Sequence, residues 1–276
     1  MSSRDDVIEA LGIRPLGQEP VSGRQPTIRL DYTGIKEPPS GGISRSKVVQ
    51  SGNLFEVYDF QIPIVYGQKN KRVTPRSAPE RYEEHRARSI IRAVNTVRRL
   101  IHLNFSEKDM FLTLTFNNEQ PFDINSLKSC LPYFKKFVRK TRNKYPDFRY
   151  IAVPEFQKRG AVHYHLLCNL SSLSENERDE LWPYGFSKPK KINGTLHLAL
   201  YLCKYLSKRF EDKRKEGHRL FYTSRGLKRP QVVYGMLAER LSKKLKEERS
   251  DNIQYESQYN SVRNGNTSYT QYLRQK

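Results

Sequence analysis

The chain has 276 residues, and 50 Lys and Arg against 29 Asp and Glu leave it a formal net charge of +21. That excess excludes little about fold, but it points to an anionic partner. With 36% hydrophobic residues, 17 Tyr and 13 Phe, the chain has enough packing material to exclude full disorder, and its length suits one domain with extensions or two small ones.

The first 50 residues are rich in Pro, Gly and Ser (PPSGGISRS at 38–46) and nearly neutral. They read as a flexible leader with a short helix at 4–12. Phe55–Tyr66 reads as strand. Pro79–Asn104 reads as an amphipathic helix with Ile90, Ile91, Val94, Val97 and Ile101 as its apolar stripe. Met110–Phe116 (MFLTLTF) alternates like a half-buried strand. A helix capped by Asp123 is expected over Asp123–Tyr145, followed by strands at Phe148–Phe156 and Ala161–Leu170. Leu196–Phe210 reads as helix, Arg219–Thr223 as strand and Gln231–Glu248 as a closing helix. The polar segment 250–276 has no period and reads as a disordered tail. One catalytic domain over 51–249, of α+β class with a central antiparallel sheet flanked by helices, is the expected architecture.

Cys130, Cys168 and Cys203 are odd in number and far apart, which excludes a disulfide scaffold or a zinc ribbon. They read as small buried hydrophobes in a reducing compartment. No apolar run reaches the ~18 residues a membrane crossing needs, and the N-terminus lacks an apolar signal core. A cytoplasmic protein with no membrane partner is therefore expected.

Two constellations carry chemistry. His163 and His165 are two apart on a strand, so both imidazoles share one face, while Val162, Tyr164 and Leu166 share the other. Neutral imidazoles on one face can hold a transition metal. Glu155 is on the preceding strand. A three-residue loop, Lys158-Arg159-Gly160, with Gly160 left-handed, would pair Gln157 with Ala161 and hence Glu155 with His163. A shift of one residue would send Glu155 to the far face. The second constellation is Tyr201, Lys204, Tyr205 and Lys208, which share one face of a helix. Leu198, Leu202, Leu206 and Phe210 form its apolar stripe. A phenol beside an ammonium can serve as a nucleophile, because the cation favours phenolate.

In this order, FLTLTF (111–116), Glu155-x7-His163-Tyr-His165 and Tyr201-x-x-Lys-Tyr205-x-x-Lys resemble the three motifs of the HUH endonucleases. Within them, the chain is similar to the rolling-circle replication initiators (Rep proteins) of bacterial plasmids and single-stranded-DNA phages. EFQKRGAVHYHLL and FYTSRGLKRP agree with that likeness. The resemblance spans roughly residues 55–235. It implies origin-specific nicking of one DNA strand, with His163, His165 and Glu155 holding Mg²⁺ or Mn²⁺. It also implies a 5′-phosphotyrosine intermediate on Tyr201 or Tyr205, charge balance by Lys204 and Lys208, and a first cut by Tyr205. The chain contains no G-x-x-x-x-G-K-[ST], so a host helicase would open the duplex and a host DNA polymerase would extend the 3′ end.

Most of the positive excess is concentrated at 134–149, with seven basic residues against one acidic, and at 186–230, with thirteen against three. The DNA-binding residues expected from these segments and the hairpin loop are Lys135, Lys136, Arg139, Lys140, Arg159, Lys188, Lys190, Lys191, Arg225, Lys228 and Arg229. Phe186 and Tyr222 are the aromatics in reach of bases. Two other readings fit the same residues: a non-catalytic single-stranded nucleic-acid-binding module, and a transposase or relaxase of related strand-transfer chemistry.

Overall fold

The structure is a computed structural model and describes residues 41–67, 79–157, 159–191, 195–207, 217–248, 252–261 and 263–273. In chain order its elements are β1 (Gly42–Ser51), β2 (Leu54–Tyr66), α1 (Pro79–Asn104), β3 (Met110–Phe116), α2 (Leu127–Lys144), β4 (Tyr150–Phe156), β5 (Val162–Cys168), α3 (Glu175–Leu181), β6 (Gly185–Lys190), α4 (Thr195–Ser207), β7 (Tyr222–Thr223), β8 (Gln231–Val233), α5 (Gly235–Glu248), β9 (Ile253–Ser261) and β10 (Gly265–Leu273). The class is α+β, with two antiparallel sheets flanked by helices. The expected helix at 4–12 lies outside the described residues.

The elements fall into two compact units, 78–228 and a second built from both chain ends, 1–77 with 229–276. The single domain expected over 51–249 is thus corrected. The end unit has a five-stranded sheet in the order β8-β1-β2-β10-β9. Its strands recruit segments that composition assigned to a leader and a tail. Gly42–Ser51 is a strand paired with β2, and Ile253–Leu273 forms the β9–β10 hairpin. The error has a physical cause. Polar, Tyr-rich segments have little hydrophobic periodicity of their own, yet β10 buries Tyr269 and Tyr272 once β2 pairs with it. The expected closing helix splits: Gln231–Val233 joins β1 as β8, and α5 starts at Gly235. Phe55, Val57, Ala238, Leu241, Leu245 and Tyr272 form that unit's core. Asp59 accepts hydrogen bonds from Ser46, Ser242 and Lys246 there.

The unit 78–228 has the sheet order β6-β3-β5-β4-β7. The strand β6 and the short helix α3 were not anticipated from sequence; β6 (GFSKPK) is polar and carries a proline, which suits an outer strand. The helix α2 starts at Leu127, not at Asp123. Ser126 is its cap, accepting from the Ser129 N–H, whereas Asp123 accepts from the Asn125 N–H one turn earlier. On α1, Ile90, Val94, Val97 and Ile101 are buried as the stripe predicts, with Ile91 half-buried.

The two faces of this sheet differ. On one, α2 presents Phe134 and Phe137 to a core that includes Leu114, Phe116, Tyr164 and Trp182. Phe134 stacks on Tyr164, ring centroids 4.3 Å apart. On the other face, α4 packs against β4 and β5 and is itself backed by α1. Its Leu202 and Leu206 are fully buried. Cys130, Cys168 and Cys203 are free and buried.

Candidate functional site

The site is assembled by strand register. The β4–β5 turn closes with Gln157 N–H donating to the Ala161 carbonyl (2.8 Å) and Gly160 N–H donating to the Gln157 carbonyl (2.9 Å). Gly160 has φ +101°, a backbone region that favours glycine. This turn pairs Glu155 with His163. Directly opposed residues share a face, so three rows of side chains run across the sheet on the α4 side. The first row is Glu155, His163, Thr115 and Phe186; the second is Val153, His165, Thr113 and Lys188; the third is Ile151, Leu167, Phe111 and Lys190.

His165 is held at both ring nitrogens. Thr113 Oγ1 is 3.2 Å from Nδ1, and Glu155 Oε2 is 2.5 Å from Nε2. His163, by contrast, has a buried Nε2 with no hydrogen-bond partner. Burial, with help from the neighbouring His165, lowers its pKa to about 4, against the opposing pull of Glu155. His163 is therefore neutral at physiological pH, with an unused lone pair or N–H facing the interior. Two imidazoles and a carboxylate are a donor set suited to Mg²⁺, Mn²⁺ or a softer divalent ion. Among the described residues, no three His, Cys, Asp or Glu side chains already converge as a metal cage. The reason is visible: Glu155 and His165 are bonded to each other. The orphaned His163 nitrogen and the neutral state of its ring fit a metal ligand, and a cation would take the place of the hydrogen in the Glu155–His165 contact.

The tyrosines come from α4. Tyr205 is buried, its ring lying 3.5 Å (centroid to centroid) from His165 and nearly parallel to it. Tyr201 is half-buried, edge-on to Phe111 at 4.8 Å and to Tyr205 at 5.4 Å. Lys190 places its ammonium 4.2 Å from the centre of the Tyr201 ring. The two phenols differ in acidity. Burial acts to raise the Tyr201 pKa, but hydrogen bonds from Tyr205 and Lys190, with the charges of Lys190 and Lys204, lower it below the usual phenol value. Tyr205 is pushed up by burial first, then by its hydrogen bond to Tyr201 and the nearby Glu155 charge. Lys204 is exposed, and Lys208 lies outside the described residues.

The expected DNA-binding residues do not all gather here. Lys188 and Lys190 are on the site face, with Lys191 just beyond β6. Lys135, Lys136, Arg139 and Lys140 are on the exposed side of α2, which covers the opposite face of the sheet. Lys140 donates to the Glu180 carbonyl, and the Lys136 ammonium sits over the Tyr133 ring. Arg159 is engaged structurally: its guanidinium donates to Gln157, Asn118 and the Phe116 carbonyl, bracing the turn against the end of β3. Arg225 lines a cleft with Arg142 and Arg149 at the far end of β4. Lys228 is tied by its backbone to Asn104, and Arg229 belongs to the end unit. The two aromatics also part. Tyr222 packs against Phe134 on the α2 side, whereas Phe186 is 70% exposed on the site side.

The family described as replication-associated protein ORF2 matches residues 109–210. That stretch runs from β3 through α4 and contains Glu155, His163, His165, Tyr201 and Tyr205. The match supports a replication-associated role for this chain. No curated protein and no solved structure matches it. Among the described residues, no helix is long and apolar enough to cross a membrane.

Sequence reasoning missed three contributors: Thr113, Phe111 and the contact of Lys190 with Tyr201. The first two had a legible signal. In MFLTLTF the positions 111, 113 and 115 alternate with the fully apolar ones, marking a strand face that is not simply core. Lys190 had none, because β6 was not recognised as a strand.

Proposed function

We propose that this face of the 78–228 unit nicks one strand of DNA at a replication origin and rejoins it, as a rolling-circle initiator. The observation that carries the reading is the stacking of Tyr205 on His165 within the row system that also holds Glu155 and His163. Nucleophile candidates and candidate metal ligands, about 40 residues apart in sequence, meet on one surface.

His163, His165 and Glu155 would hold a divalent ion, Mg²⁺ or Mn²⁺. Such an ion supplies charge neutralisation at a scissile phosphate. The protein's own groups do the rest. Thr113 fixes the orientation of His165 through Nδ1, leaving Nε2 for the ion side. Tyr201 is the more accessible phenol and the more readily ionised, so the first attack is assigned to it rather than to Tyr205. Its oxygen bonds to phosphorus, the bond from phosphorus to the 3′ oxygen breaks, and that oxygen leaves to become a 3′-OH. The phenolic proton goes to solvent. Lys190 and Lys204 offset the charge that builds at the phosphate. Tyr205, close enough to donate a hydrogen bond to Tyr201, is placed for the second transfer. One phosphodiester is exchanged for one phosphotyrosine, so rejoining needs no ATP. A host helicase and a host polymerase would complete replication.

The test is incubation with single-stranded circular replicon DNA and Mn²⁺, followed by a denaturing gel. A covalent protein–DNA adduct is expected. The Tyr201→Phe/Tyr205→Phe double variant should form none while keeping its affinity for DNA. In the single variants, Tyr201→Phe should slow the first adduct more than Tyr205→Phe. Wild-type protein that binds DNA but never forms an adduct would establish a binding module instead.

A further inference from the structure

A large aromatic side chain on an outer strand calls for a reason. Phe186 is on β6, which closes one side of the sheet, and it is 70% exposed. Nothing in the fold requires it. An exposed apolar side chain on an outer strand invites edge-to-edge association, and this strand is otherwise guarded against it by Lys188, Pro189 and Lys190. Its position is set firmly. Phe116 pairs with Gly185, where any Cβ would come within 2.3 Å of the Thr115 carbonyl oxygen, so β6 hugs β3 as only a glycine permits. The next residue, Phe186, then falls opposite Thr115, in the same row as His163 and Glu155.

Two strand spacings separate Phe186 from His163, about 10 Å across the sheet. The tyrosine helix covers the other side of this face: Tyr205 lies over His165 and Tyr201 against Phe111. Phe186 is therefore the aromatic of this row left open to solvent. Along its own strand it alternates with exposed Lys188 and Lys190 on the same face. An open ring followed by two ammonium groups at strand period complements a nucleic-acid strand, whose bases stack and whose backbone is anionic.

We propose that Phe186 is a base-stacking platform of the site: the nucleotide next to the scissile phosphate lays its base on this ring, while Lys188 holds its backbone. The ligand is single-stranded DNA, because only an unpaired base can stack flat on a side chain. The inference rests on reading this face as a DNA site, and it specifies the path: the strand leaves the metal ligands toward β6, away from the basic surface of α2.

The experiment uses the full chain and an oligo(dT) of about 30 nucleotides, long enough to span such a site, read by fluorescence anisotropy at several salt concentrations. Phe186→Ala should weaken binding about tenfold, as expected for one lost stacking contact. The slope of affinity with salt should stay unchanged, because no cation is removed. Phe186→Trp should keep the affinity, and its added indole should be quenched when oligo(dT) binds, whereas the native Trp182 is buried and should not respond. Unchanged affinity in Phe186→Ala, or an introduced indole indifferent to DNA, overturns the proposal. An oligo(U) of the same length that displaces the DNA more strongly overturns the assignment to DNA. Adduct formation is measured separately. Quenching without any adduct would sink the nicking reading and leave the platform standing; an adduct without quenching would do the reverse.

Discussion

The two helices that flank the β6-β3-β5-β4-β7 sheet make opposite use of aromatic side chains. On the α2 side, Phe134 and Phe137 interlock with Tyr164, Phe116 and Trp182, all at most 1% exposed. On the α4 side, Tyr201 and Tyr205 stack with His165 and Phe111 but keep hydroxyls and a neighbouring ammonium among them. The strand β5 serves both: Val162, Tyr164 and Leu166 face α2, while His163 and His165 face α4. Adjacent residues of one strand thus belong to different tasks. One face is close-packed and apolar, and its contribution is stability. The other holds neutral imidazoles, a carboxylate and phenols in a partly dry setting, which is a cost to stability that a binding or reactive surface can justify.

The sharpest way to break this comparison is to empty the packed face. Phe134→Ala should lower the unfolding free energy by about 3–5 kcal/mol, read from urea denaturation, because the ring is fully buried and its neighbours cannot close the gap. His165→Ala, one residue from the core, should cost much less stability and abolish adduct formation. If the two variants lose stability equally, the division of labour between the faces is wrong.

A second test uses pH. His163 titrates near 4 in the folded chain, against an ordinary value of 6.5. Between those values the unfolded chain takes up a proton that the native state refuses. Stability contributed by this group is therefore complete above pH 6.5 and falls as pH drops through the window, by about 3 kcal/mol at its acid end. Comparing urea midpoints at about pH 7 and about pH 4.5, either side of most of that window, should show a smaller drop for His163→Gln than for the wild type. Equal drops would mean that His163 does not carry the penalty.

The smallest effect sharpens the comparison from within β5. The Tyr164 hydroxyl is buried with no hydrogen-bond partner. Tyr164→Phe should leave stability unchanged or raise it by up to ~1 kcal/mol, since no bond is lost and a desolvated hydroxyl is removed. Neither DNA binding nor adduct yield should respond. A clear loss of either would place Tyr164 in the functional surface after all.

Much of the 78–228 unit was legible because its elements carry strong local signals. The stripe of α1, the alternation of β3 and the Gly160 turn each specify their geometry from a few neighbouring residues. The register that pairs Glu155 with His163 follows from the loop length alone. The end unit was not legible. β1, β9 and β10 are polar strands whose stability comes from pairing with β2 and with each other, so their sequence carries no period to read.

The sequence by itself determined the residue types and local spacings: two histidines on one strand face, a carboxylate opposite them, two tyrosines a turn apart on a helix. Those follow from the strand period of two and the helical repeat. Only the tertiary structure decided which face the helix covers, that Tyr205 stacks on His165, that Lys190 reaches Tyr201, and that the basic surface of α2 lies on the other side of the sheet. These depend on contacts between segments distant in the chain. Charge count and periodicity describe a segment but do not say which side of a sheet it will occupy, so the positive residues near 134–149 and those of β6 looked alike until packing separated them.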